Sequence, residues 1–86
     1  MTNDLTLLTI LDAAHPHMVP HDTVIAEYRL RGDRVAGIHS RSDIETGLDR
    51  LERSGHARAI ENADAPGGRR WTITDAGRNR LREAGL

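Results

Sequence analysis

Arginine side chains in short groups are the residues of this sequence best suited to contacts with an anionic partner. All twelve basic residues are arginine, and the chain contains no lysine. A guanidinium is a planar fork that donates paired hydrogen bonds to phosphate, which an ammonium does not do. The groups of interest are Arg41, Arg50 and Arg53, and then Arg69 and Arg70.

Other chemistry has weaker support. Three histidines lie close together around two prolines: His15, His17 and His21. This spacing makes metal binding an alternative. The chain has no cysteine, and Asp22 alone does not complete a recognisable ligand pattern. His39 and Ser40 are adjacent, but adjacency in sequence is not the geometry of a nucleophile and its base. We therefore predict that the chain is not an enzyme and has no catalytic site, metal, cofactor or small-molecule ligand.

The net charge of -1 is unevenly distributed along the 86 residues. Residues 1–28 contain four acids and no arginine, whereas residues 69–82 contain five arginines and one acid, Asp75. A neutral domain with a nucleic-acid-binding face would show this pattern, and so would ordinary scatter of surface charge.

The length predicts a single domain, 1–86. No apolar run approaches the roughly 18 residues of a membrane span, and the N-terminus lacks the basic flank of a signal peptide. We therefore expect a cytoplasmic domain with no membrane partner.

Periodicity and capping residues predict the elements that position these side chains. A first helix should end near His15-Pro16, because its apolar residues recur at helical spacing: Leu7, Ile10, Leu11 and Ala14. A short second helix, capped by Asp22 or Thr23, would bury its apolar residues: Val24, Ile25 and Tyr28. A polar loop is predicted over residues 32–39.

The third helix has the clearest signals. Ser42 and Glu45 form a capping box, and Ser40 with Asp43 forms a competing box. Its inner stripe consists of Ile44, Leu48 and Leu51. Gly47 lies beside that stripe, where a small residue lets another helix approach closely.

A hairpin and a last helix complete the chain. Strands are predicted over residues 56–61 and 70–73, around a turn at residues 62–68. Trp71 and Ile73 fall on one face of the second strand, which favours a core position for Trp71 over base stacking. Thr74 is predicted to cap the final helix, which would run from residue 75 to residue 84.

Two segments resemble a known family. Residues 42–55 are similar to the recognition helix of winged helix-turn-helix domains, which ends in Leu-Glu-x-x-Gly before the wing. Residues 69–78 are similar to the return strand, whose pattern, matched here from Arg70, is Arg, an aromatic, any residue, an aliphatic, Thr, an acid, any residue, Gly, Arg. The likeness is to small PadR-like and MarR-like transcriptional regulators of prokaryotes or phages. It implies an α+β, mostly helical fold with a three-helix core, a β-hairpin wing and a short C-terminal helix.

The resemblance also implies a DNA surface. A recognition helix over about 42–54 would enter the major groove, and its outer side carries four residues in helical register: Ser42, Thr46, Asp49 and Arg53. Arg50 lies on one flank, and Arg41 adds a phosphate fork at the helix start. Hydroxyls can read base edges as donor or acceptor, and Arg50 or Arg53 could take guanine bidentately.

The wing, about residues 62–70, is the second predicted surface. Gly67-Gly68 would present Arg69 and Arg70 on flexible backbone to an adjacent groove or to the phosphates. The predicted function is sequence-specific binding of double-stranded DNA as a small transcriptional regulator, such as a repressor, with homodimerisation through the first or last helix expected. The alternative is a winged-helix protein-interaction module, which the acids of the third helix favour.

Overall fold

The chain forms four helices and three short strands within the residues that the computed structural model describes, 2–31 and 39–85. In order they are α1 (Asp4–Ala14), β1 (Val19–Pro20), α2 (His21–Leu30), α3 (Arg41–Arg53), β2 (Ala57–Glu61), β3 (Arg69–Ile73) and α4 (Asp75–Glu83). This confirms the predicted α+β architecture of a helical core with a hairpin and a C-terminal helix. Apart from His39, the predicted loop over residues 32–39 lies outside the described residues. Over those same ranges, no helix has the length and apolar character needed to cross a membrane.

The start of α3 is determined by the second of the two candidate capping boxes. The Ser40 Oγ accepts a hydrogen bond from the Asp43 amide, and the Asp43 carboxylate accepts one from the Ser40 amide, each at 3.2 Å. Ser40 has extended backbone angles, φ -69 and ψ 163, whereas Ser42 already lies inside the helix. The alternative with Ser42 and Glu45 is therefore wrong, because an N-cap residue must lie outside the helix that it caps. Glu45 is consequently not engaged in capping.

The predicted caps of α2 are also wrong. α2 begins at His21 directly after Pro20 and has no side-chain capping hydrogen bond. The Asp22 amide instead donates to the carbonyl of Pro66 in the hairpin turn, at 3.1 Å. A tertiary contact thus satisfies one of the free amides in the first turn of α2, in the absence of a side-chain cap.

A third strand was not predicted. β1 contains two residues and pairs antiparallel with β3, with Val19 opposite Trp71 and Pro20 opposite Arg70. The sheet order is β1-β3-β2, so the return strand of the hairpin lies in the centre. Two residues are too few to show the alternation that identifies a strand, and a proline is tolerated there because β1 is an edge strand.

The core lies between the helices and the inner face of this sheet. Trp71 is fully buried and Tyr28 is 1% exposed, which confirms the core positions predicted for both aromatic residues. The Tyr28 hydroxyl accepts a hydrogen bond from the Asn3 amide at 3.0 Å, just before α1. The largest fully buried aliphatic side chains come from three helices: Leu7, Leu8, Leu11, Val24, Ile44, Leu48 and Leu51.

Gly47 permits the close approach that was expected of it. A Cβ at this position would lie 2.1 Å from the Thr2 Oγ1 and 3.0 Å from a methyl group of Leu7. The segment that approaches α3 is therefore the start of the chain with the first turn of α1, and a larger residue at position 47 would require the side chains of Thr2 and Leu7 to shift.

Candidate nucleic-acid interface

A polar groove of about 380 Å³ separates the exposed side of α3 from the hairpin turn. Its lining combines side chains of α3, residues of the hairpin and one residue of α2: Ser42, Glu45, Thr46, Asp49, Gly67, Arg69 and His21. Ser42 and Thr46 are exposed and lie one helical turn apart. The structure thus brings two hydroxyls of α3 next to one wing arginine, an arrangement that we call the α3–hairpin groove.

The hairpin turn is held by the body of the domain. Besides the bond from Asp22 to Pro66, Gly67 packs so closely on α2 that a Cβ would lie 2.8 Å from the Cβ of His21. Gly67 also has a φ of +89, a conformation open mainly to glycine. Flexible backbone was expected at Gly67-Gly68, but at Gly67 the turn is docked on the start of α2.

Arg69 and Arg70 point to opposite faces of the sheet, since side chains alternate along a strand. The Arg69 guanidinium contacts Glu61 at 3.0 Å and Asp49 at 3.6 Å, and it lines the groove. Arg70 lies on the other face, paired in register with Ile60 of β2. Its Nε is buried and has no hydrogen-bond partner within the described part of the chain. The structure therefore places one arginine of this pair at the groove and not the other.

Arg41 joins the start of α3 to α2. Its Nη2 donates to the Asp22 carboxylate at 2.6 Å, and its Nε lies 3.7 Å from Glu45. The hydrogen bond to Asp22 raises the pKa of Arg41 above its ordinary value. Arg41 is thus in contact with Glu45 of the groove lining, and its charge is balanced by the carboxylates of Asp22 and Glu45.

Arg50 and Arg53 lie outside the groove lining. Arg50 turns toward the start of α1, where its Nη2 donates to Asp4 at 2.5 Å and to the Thr2 Oγ1 at 3.3 Å. The hydrogen bond to Asp4 raises the pKa of Arg50. Arg53 is exposed at the last position of α3. Of the predicted site residues, the groove therefore unites Ser42, Thr46, Asp49 and Arg69.

Two residues of the groove lining, His21 and Glu45, were not predicted as site residues. His21 is 4% exposed, and its Nδ1 lies 2.9 Å from the Trp71 Nε1, while its Nε2 lies 2.8 Å from a Glu45 oxygen. An indole N–H can only donate, so Nδ1 accepts and Nε2 carries the proton that is donated to Glu45. His21 and its two partners are 50 and 24 residues apart in sequence, so no local pattern links them.

The other histidines of the predicted loop do not share this environment. His15 and His17 are exposed, whereas His21 is engaged on both ring nitrogens. In the ranges 2–31 and 39–85, no group of three or more side chains is arranged to hold a metal ion.

Comparison with known proteins gives similarity at the level of the fold. No protein-family model matches the chain, and no curated protein matches it. A PadR family transcription regulator from hypervirulent Clostridium difficile R20291 has 15% identity and a TM-score of 0.63, covering 96% of this chain and 84% of that one. A PadR-like transcriptional regulator from Bacillus cereus has 18% identity and a TM-score of 0.71, covering 93% and 74%.

A third solved structure is the transcriptional regulator BldR from Sulfolobus solfataricus, with 25% identity and a TM-score of 0.62. The alignment covers 92% of this chain but 50% of that protein, so the chain spans half of its length. The predicted resemblance to PadR-like winged-helix domains is confirmed as a similarity of fold.

Proposed function

We propose that the chain binds double-stranded DNA as a small transcriptional regulator, with α3 in the major groove and the hairpin against an adjacent groove or the phosphates. The observation that carries the proposal is the α3–hairpin groove, in which exposed Ser42 and Thr46 lie beside Arg69. An α-helix fits the major groove, where hydroxyls reach base edges as donor or acceptor. The similar solved structures are described as transcription regulators, which supports the same function here.

The predicted site residues have separate tasks in this proposal. Ser42 and Thr46 contact base edges, and Arg69 contacts phosphate or the walls of a narrow minor groove. Asp49 orients the Arg69 guanidinium across 3.6 Å. Arg53 adds an exposed cation beyond the groove, and Arg41 supports the helix start near phosphate. Arg50 and Arg70 do not line the groove, and Arg50 pairs instead with Asp4 at the start of α1.

The test is binding to a random duplex pool, measured by fluorescence anisotropy over a series of salt concentrations. We expect affinity that falls steeply with salt, because each phosphate contact releases counterions. Arg69→Ala should weaken binding to all sequences and lower the salt slope by about one unit. Ser42→Ala with Thr46→Ala should retain salt-dependent binding but lose discrimination between sequences.

The matched control is Arg29→Ala, which removes an equal charge from an exposed position in the last turn of α2, outside the groove lining. It should leave the sequence preference unchanged and alter affinity less than Arg69→Ala does. Absence of binding at low salt, or binding that does not respond to salt, would refute the proposal.

A protein-interaction module is the second candidate, and one observation favours it. The groove lining includes the carboxylates of Glu45 and Asp49 but a single arginine, Arg69, which is itself flanked by acids. The carboxylates on this surface repel phosphate, and this repulsion opposes the attraction of Arg69 and the hydrogen bonds of the hydroxyls. Retention on heparin resin distinguishes the two functions. If the wild type and the double variant Arg69→Ala/Arg70→Ala are retained equally weakly, a protein partner is favoured.

Repression and homodimerisation belong to the same proposal. One small module makes few phosphate contacts, and a two-fold site doubles them. We propose pairing through α1 or α4, operation as a repressor in the cytoplasm, and an origin in a prokaryote or its phage. Sedimentation velocity with and without a selected duplex should show two chains per site, and a single chain on an asymmetric site would contradict the pairing.

A further inference from the structure

The carboxylate of Glu45 is held more rigidly than an exposed glutamate on a helix needs to be. Its side chain is 40% exposed at the groove, yet the histidine that binds it is only 5% exposed. That histidine, His21, is fixed on its other side by the indole of fully buried Trp71. The position of one Glu45 oxygen is therefore linked through two hydrogen bonds to the central strand of the sheet.

This arrangement is not required for the stability of α3. The helix is capped by Ser40 and Asp43, so Glu45 has no capping duty. An exposed carboxylate is well solvated by water, and ordering it costs side-chain entropy. Both the His21 bond and the 3.7 Å contact with Arg41 use Oε2, so the second oxygen, Oε1, takes part in neither.

We infer that Glu45 reads cytosine in the major groove, with His21 as the residue that positions it. The inference rests on the proposed DNA-binding function and names one base of its target. An ionised carboxylate only accepts hydrogen bonds. Guanine presents two acceptors in the major groove, thymine presents O4, and adenine presents N7 beside its amine. Cytosine alone presents the N4 amine without a neighbouring major-groove acceptor on the same base, so it is the base that a fixed carboxylate selects.

The location of Glu45 supports this role. It lies in the N-terminal half of α3, between Ser42 and Thr46 in the groove lining. In helix-turn-helix proteins the N-terminal part of the recognition helix is the part that contacts base edges. The hydrogen bond from His21 holds Oε2 and leaves Oε1 as the oxygen that faces a base.

The experiment is selection of bound sequences from a random duplex pool by the wild type and by Glu45→Gln. A glutamine amide can still accept from His21, so the variant should keep its fold. The wild type should prefer cytosine at one position of each half-site by about tenfold, a usual cost for one mismatched pair. Glu45→Gln should lose that preference, because its oxygen stays on His21 and its amine faces the base. An amine donates to acceptors, so a gain of guanine, which presents O6 and N7, is expected. All other positions should keep their preferences.

Glu52→Gln is the matched control, since it makes the same change on the same helix outside the groove lining. Its Oε2 accepts a hydrogen bond from the Ala59 amide, which a glutamine can also do. Removing this charge should raise affinity for all sequences alike and leave every base preference intact.

His21→Leu tests the positioning role, and should abolish the same cytosine preference while the other positions keep theirs. Base preferences are compared within one variant. A partly unfolded fraction therefore lowers the binding of all sequences equally and does not mimic a selective loss of the cytosine preference. If Glu45→Gln selects the same site with the same cytosine, the inference is overturned and the DNA-binding proposal stands. If the wild type selects no DNA at low salt, both fail.

Discussion

Replacing Gly77 with alanine should destabilise the domain even though alanine is the better helix former. Gly77 lies in the first turns of α4, and a Cβ there would meet the His56 carbonyl oxygen at 2.2 Å and an Ile73 carbon at 2.7 Å. The carbonyl cannot turn away freely, because it accepts a hydrogen bond from the Thr74 amide at 3.2 Å. Relief of the contact therefore requires α4 to move away from the sheet.

The magnitude follows from two opposing contributions. Alanine in place of glycine inside a helix gains about 1 kcal/mol of intrinsic propensity. Overpacking costs about 1–3 kcal/mol, and the upper end applies here because the obstacle is backbone. The expected net loss is about 2 kcal/mol. A chain of this length has an unfolding free energy of about 4–13 kcal/mol, so the loss is easily measured.

Urea unfolding followed by the fluorescence of Trp71 is the appropriate assay, because this tryptophan is fully buried in the folded state. With a slope of about 1 kcal/mol per molar urea, the midpoint of Gly77→Ala should fall by about 2 M. The control is Ala76→Gly at the exposed neighbouring position, which removes only helix propensity and should cost about 0.5–1 kcal/mol. A Gly77→Ala variant as stable as the wild type, or more stable, would refute the close approach of α4 to His56.

Two further predictions concern the start of α3 and its contact with α1. Ser40→Ala should lower the unfolding free energy by about 1 kcal/mol through loss of the N-cap, whereas Ser42→Ala should change it by less than about 0.5 kcal/mol; equal losses in urea unfolding would contradict the assigned cap. A double-mutant cycle with Asp4→Asn and Arg50→Gln should give a coupling energy of about 0.5–1 kcal/mol that diminishes in high salt, because both side chains are partly exposed. A coupling of zero at low salt would show that the ion pair does not hold α1 against α3.

The elements of this fold were predictable wherever the signal is local. The inner stripe of α3, the stop at Gly55 and the turn over residues 62–68 each depend on residues within a few positions of one another. The predicted hairpin and C-terminal helix are therefore close to the observed ones. The two capping boxes of α3 show the limit of such signals, since both satisfy the same pattern. Only the backbone angles of Ser40 decide between them.

Predictions about the site were less complete, because a helical wheel assigns a direction but not a partner. The wheel places Arg50 on a flank of α3, and its partner Asp4 is 46 residues away in sequence. Arg69 and Arg70 are adjacent in sequence, yet the alternation of β3 puts them on opposite faces. His21 lies near His15 and His17 in sequence, although its contacts are with Trp71 and Glu45.

Sequence alone determined the order of the elements, their approximate bounds and the resemblance to winged-helix regulators, because capping, periodicity and turn formation act over a few residues. Tertiary structure alone decided which polar side chains meet at the groove. The ion pairs of Arg41 and Arg50 and the hydrogen bonds of His21 join residues from different elements. Their geometry is set by how the helices and the sheet pack. The spacing of residues within one helix or strand therefore does not predict it.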